Sequence, residues 1–152
     1  MNLQIKNNQN KIKIDRHKIR GMVGKITKIL DCVDKELSLC FVDDEIIKQL
    51  NKQYLGKDKA TNVLSFSLRE DEYGDVNPQI LGDIVISVET AKKDALESGL
   101  SIAQEIDFLI IHGLLHLLGY NHENTTKKEA NLMRQQEKEL FNIIHEDDVK
   151  LI

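Results

Sequence analysis

Eleven residues constrain this chain more than any others: HGLLHLLGYNH, His112 to His122, which hold three of its five histidines. His112 and His116 are four apart, so on a helix both imidazoles leave the same face one turn from each other. His122 lies six further on, where an unbroken helix would carry it to the other side. Gly119 stands between, and glycine ends helices by entering the left-handed region. A helix that stops at Gly119 and turns back brings His122 round to the first pair. Three neutral nitrogens then converge with no fourth protein ligand in the motif, which is the pattern of a catalytic rather than a structural zinc site. A single histidine in an apolar helix is usually a hydrogen-bonded core residue. Three histidines with a glycine in this register are hard to account for that way. The neighbouring Leu114, Leu115, Leu117 and Leu118 fit either a core or the dry wall of a metal site.

The HExxHxxGxxH motif of the metzincin proteases has the same histidine and glycine register. Its second position is the general base Glu, and here that position is Gly113. The metal scaffold is present and the peptidase base is absent, so a different reaction is expected. A zinc ion on three histidines lowers the pKa of its water and polarises a bound oxyanion. Hydrolysis follows from that, without a choice of substrate. A phosphodiester substrate would also need cations to offset charge on the phosphoryl oxygens. Lys57 and Lys59, on the polar loop before Val63, are the candidates, although alone they read as ordinary surface lysines.

The whole chain, 152 residues, is long enough to bury one proper core. No stretch is apolar enough to span a bilayer: the best, Ile102 to Leu118, carries Glu105, Asp107 and two histidines. The first residues contain no apolar signal-peptide core. Cys32 and Cys40 do not form a CxxC pair and read as ordinary thiols, so the cytoplasm is the expected location and no membrane is expected. Net charge is −4, unevenly spread: residues 1–35 hold nine Lys or Arg against three acids, and residues 36–122 seven against fifteen. The basic first segment can track a phosphate backbone, but by charge alone a solvated helix face is the better reading.

Periodicity gives the elements. Residues 2–6 and 11–14 alternate as strands. Asp15 caps a helix with Ile19, Met22, Val23, Ile26, Ile29 and Leu30 on one face. Glu36 to Val42 is a strand. A short helix starts at Asp43 and Asp44, with Ile46, Ile47, Leu50 and Tyr54 apolar. Val63 to Ser67 is a strand, Arg69 to Pro78 an exposed loop, and Ile80 to Val88 the strongest strand, interrupted at its start by Gly82 and Asp83. A helix runs from about Glu89 to Glu97, and Gly99 ends it. Ser101 caps the apolar helix Ile102 to Leu118, which should be central. Thr125 or Thr126 caps a last helix to about Ile144, with Leu132, Met133, Leu140 and Phe141 inward. The expected fold is a single α+β domain over residues 1–152. Its mixed sheet of about four strands is covered by helices, and the metal site lies at the end of the central buried helix.

Three blocks taken together, NKQYLGKDKATNVLSFS (51–67), LGDIVIS (81–87) and HGLLHLLGYNH (112–122), resemble the YbeY family of bacterial endoribonucleases, across about residues 36–141. The resemblance implies a metal-dependent, single-strand-specific endoribonuclease. It implies a role in maturation of the 3′ end of small-subunit ribosomal RNA and in ribosome quality control, with RNA and the ribosome or its small subunit as partners and no DNA. It implies one Zn2+ per chain on His112, His116 and His122. Two residues depart from the family's usual pattern. Its loop reads Tyr-Arg-Gly-Lys, and this chain reads Tyr54-Leu55-Gly56-Lys57, so the arginine is lost and Lys57 is the catalytic cation that matches. Lysine offers a point charge without the bidentate fork of arginine. Asn121 stands where the family usually has Asp, a neutral acceptor for a ligand ring in place of a charged one. Two other readings compete: a zinc peptidase or amidase with metzincin-like spacing, and a non-catalytic ribosome-associated zinc protein.

Overall fold

The fold is described from a computed structural model covering residues 1–67, 79–123 and 125–145. The loop expected over Arg69 to Pro78 lies outside the described residues. The strands are β1 (Asn2–Asn7), β2 (Glu36–Val42), β3 (Val63–Ser67) and β4 (Ile80–Ser87). The helices are α1 (Arg16–Ile29), α2 (Asp44–Leu55), α3 (Val88–Ser98), α4 (Ile102–Leu117) and α5 (Lys127–Ile144). The sheet order is β1-β2-β4-β3. β1, β2 and β4 run parallel, and β3 pairs antiparallel on β4 as an edge. The α+β class and the four-stranded mixed sheet are therefore as the sequence indicated.

Alternation along the strands sorts two cores. Leu37, Leu39, Phe41, Ile84 and Ile86 meet α1, α3, α4 and α5 in the larger one. Val42, Leu64 and Val85 point the other way and meet Ile47 of α2 in the smaller one. Helix α4 runs through the middle, with Leu109, Ile110, Ile111, Leu114 and Leu115 buried. Its start is a capping box, in which Ser101 accepts from the Gln104 N–H and Gln104 accepts from the Ser101 N–H. Arg16 and Arg20, one turn apart on α1, donate to the carbonyls of Ile5 and Leu3. That closes part of the free edge of β1.

Several expectations are corrected. Residues 11–14 form no strand. The Gln9 side chain accepts from the N–H groups of Lys11 and Ile12 and donates to the Ile12 carbonyl. The backbone is satisfied in a turn, and Ile12 and Ile14 pack partly buried against the core. Val88 belongs to α3, because Ser87 caps that helix by accepting from the Thr90 N–H. Gly82 and Asp83 do not interrupt β4. The register with β2 shifts there, with Leu81 as the extra residue of a bulge. Ile29, Tyr54 and Leu132 are 46%, 59% and 51% exposed. The first two sit in the last turns of α1 and α2, and Leu132 lies beside the buried stripe of α5 rather than on it.

One carboxylate is out of place in this core. Glu105 on α4 is buried, and burial, with the nearby Asp94 charge adding to it, pushes its carboxyl up to about 6 from 4.5. A raised carboxylate pKa favours the fold while the group is protonated. This contribution is complete below about pH 4.5 and is lost as pH rises through 6. Glu105→Gln removes the loss, so at pH 7 the variant should be more stable than the parent by about 1–2 kcal/mol. The gain should vanish near pH 4, as read by urea midpoints at the two pH values.

Candidate metal centre and cleft

Helix α4 delivers His112 and His116 one turn apart at its C-terminal end. The helix closes with the Leu118 N–H on the Leu114 carbonyl at 3.0 Å and the Gly119 N–H on the His116 carbonyl at 3.0 Å. Gly119 then takes φ +104°, a conformation open to glycine and costly for other residues. The Tyr120 N–H bonds back to the Leu115 carbonyl at 3.0 Å, which reverses the chain. His122 returns to the pair. The three rings stand with centroids 4.7, 4.8 and 4.9 Å apart, and one ligand nitrogen from each lies within 4.8 Å of the others. Three imidazoles at that separation could hold a metal ion, and borderline divalent ions such as Zn2+ suit this donor set. His116 and His112 are half-buried and His122 is exposed, so one side stays open to solvent.

Two of the rings have a partner behind them. His112 Nδ1 meets the Glu137 carboxylate of α5 at short range. The Tyr120 backbone stands near His116. Burial, with the neighbouring His112 and His122, lowers the His116 pKa from its usual 6.5, and the Tyr120 backbone opposes the shift. Asn121 is not one of these partners: it is exposed, and its amide turns to the Gly119 carbonyl at 3.5 Å. Sequence reasoning missed Glu137. The available signal was a lone acid in the middle of the apolar stripe Met133, Leu140 and Phe141.

Gly113 explains why the metzincin base has no counterpart. A Cβ there would lie 3.0 Å from Ile84 Cδ1, Ile84 Cγ2 and Ser65 Oγ, because β3 and β4 pack directly on α4. Any side chain at this position would need Ile84 and Ser65 to give way.

The histidines open into a cleft of about 440 Å³, also lined by Leu55, Lys57, Lys59 and Ser65. Both lysines are exposed, on a loop pinned from behind by Asn51. The Asn51 carbonyl accepts from the Lys57 N–H at 3.2 Å, and its side chain donates to the Lys59 carbonyl at 3.0 Å. Gly56, at φ +69°, ends α2 and makes the turn possible. Lys57 thus shares a cleft with the three histidines, and so does Leu55, 54% exposed on its wall.

A model of the family described as Endoribonuclease YbeY matches residues 4–145 of the chain. A protein of that name from Syntrophus aciditrophicus (strain SB) is 53% identical over 145 residues, spanning 95% of this chain and 91% of the relative. The one from Syntrophotalea carbinolica is 43% identical, covering 95% and 97%. Among solved structures, the solution structure of TM1509 from Thermotoga maritima superposes with a TM-score of 0.65 at 26% identity, over 95% of this chain and 90% of that one.

Proposed function

The chain belongs to the YbeY endoribonuclease family, and from that premise we propose that it is a Zn2+-dependent endoribonuclease acting on single-stranded RNA. His112, His116 and His122 would hold one zinc per chain. The observation that carries the reading is the convergence of these three imidazoles at the mouth of a cleft that also presents Lys57 and Lys59. The donor set fits the ion: three nitrogen ligands, an open side, and an apolar wall that includes Leu117 of α4 and Val63 and Leu64 of β3. A divalent ion held there supplies Lewis acidity toward a phosphoryl oxygen and a water of lowered pKa.

The remaining work falls to the chain's own groups. Lys57 places a cation in the cleft where a phosphate would lie, offsetting the charge that builds up on its oxygens. Asn51 fixes the loop that presents it. Ribosomal RNA, at the 3′ end of the small-subunit molecule, is the substrate we propose. The ribosome or its small subunit is then the partner and the cytoplasm the location. Among the described residues no single helix is long and apolar enough to cross a membrane.

Leu55 favours a second reading, a zinc protein that binds ribosomal RNA without cutting it. Both readings meet in one variant. Leu55 is exposed on the cleft wall, so Leu55→Arg adds a cation without disturbing the core. One charge-assisted contact to phosphate is worth about 1.5–3 kcal/mol, and kcat/KM on single-stranded RNA should rise on the order of 10–100-fold. The dependence of log affinity on log salt should steepen by about 0.7. A parent that cuts single strands but not duplex RNA or peptides supports the nuclease. Zinc-loaded parent and variant that both bind RNA and leave it intact would establish the binding protein instead. Cleavage of peptides but not RNA would overturn both in favour of a peptidase.

A further inference from the structure

The structure assigns Glu137 a positioning role: from α5 it holds the proton of the His112 ring on Nδ1, so that Nε2 presents its lone pair to the metal. This deepens the zinc reading above and rests on it. Glu137 lies four residues after Met133 and four before Phe141, on the buried stripe of α5, and is only 7% exposed. A carboxylate on such a stripe is costly unless a partner meets it. The partner is His112 Nδ1. A neutral imidazole has one donor nitrogen and one acceptor nitrogen, and a carboxylate only accepts. The contact therefore selects the Nδ1–H tautomer, fixes the plane of the ring, and leaves Nε2 as the ligand atom. For His112 this help comes from a helix 25 residues further along the chain. The docking of α5 on α4 is thereby coupled to the metal site.

The test uses the full chain with zinc as the probe. Glu137→Met replaces the carboxylate with an apolar side chain of similar volume, and Glu137→Gln keeps an acceptor but removes the charge. Chelator competition gives the zinc Kd of each protein. Long-range 1H–15N spectra give the His112 tautomer in the metal-free proteins, and melting without metal reports the fold. Glu137→Gln should weaken zinc binding about 10-fold and Glu137→Met about 100-fold. The metal-free melting temperature of Glu137→Met should be close to or a little below the parent's, since the buried charge is gone but the His112 N–H loses its acceptor. His112 should be the Nδ1–H form in the parent and mixed in Glu137→Met. An unchanged zinc Kd in both variants, or a lowered metal-free melting temperature with the parent's Kd, would overturn the assignment and leave Glu137 a purely structural residue. If the parent itself takes up no zinc, the metal reading fails. The tautomer spectra then decide the rest: an Nδ1–H ring in the parent that becomes mixed in Glu137→Met upholds the positioning, and identical spectra overturn it.

Discussion

His116→Ala should leave a folded protein that carries well under one zinc per chain and does not cut RNA. His116 is the middle ligand of the three, its ring centroid 4.9 Å from that of His112 and 4.7 Å from that of His122. Without it two nitrogens remain, fewer than the three protein ligands of a catalytic zinc site. The metal's share of transition-state stabilisation is several kcal/mol, so the loss of cleavage should be on the order of 1,000-fold or more. The fold should survive, because the ring is half-buried at the end of α4 rather than inside the core. Differential melting separates the two effects. Zinc should raise the melting temperature of the parent, since it binds the native state, and should leave that of the variant where it was. Metal content by elemental analysis and cleavage of a single-stranded oligonucleotide complete the comparison.

Gly82→Ala should cost the most stability of any Gly→Ala change among the described residues. Gly82 sits in β4 at φ +144°, where side chains are strained. A Cβ there would lie 2.1 Å from the Phe66 carbonyl oxygen and 3.1 Å from Leu117 Cδ2. The first neighbour is backbone of β3 and cannot rotate away. Strain and overpacking together are worth roughly 3–5 kcal/mol. Phe66 pairs with Asp83 in the β3–β4 ladder, and Leu117 closes α4 beside His116. The substitution should therefore also loosen the cleft, with zinc affinity falling alongside the denaturation midpoint. Gly24→Ala is the control: it lies in α1 with open space where its Cβ would be, and should be neutral or slightly stabilising.

The difference between these two glycines could not be read from the chain. Gly82 looked like an interruption of a strand, and the structure keeps it paired beside the Leu81 bulge with the β3 backbone close over it. Periodicity placed α4 and the strands well, because a 3.6-residue or 2-residue repeat is a local property. It also brought the three histidines to one point, because the i, i+4 pair and the Gly119 turn are local too. The family was legible for the same reason, since its motifs are contiguous blocks. Three kinds of information were not local. Strand direction was one: β3 reads like its neighbours but runs antiparallel. A side chain taking over backbone groups was another, as Gln9 does where KIKI would otherwise have been a strand. The third was the pairing of Glu137 with His112 across two helices. A lone Glu on an apolar stripe announces a buried partner without saying which one. Lys57 and Leu55 were found in the sequence as a loop, and only the fold sets both on the wall that faces the histidines.

If a single metal ion held by His112, His116 and His122 drives RNA cleavage, activity must follow occupancy of that site. The most direct measurement strips the protein with a chelator, removes the chelator, and titrates zinc back while following cleavage of a single-stranded RNA. There should be no cleavage at the start, a rise in proportion to added zinc, and a plateau at one equivalent per chain. Cleavage by the stripped protein at the full rate, or binding of zinc with no cleavage at any ratio, would contradict that dependence.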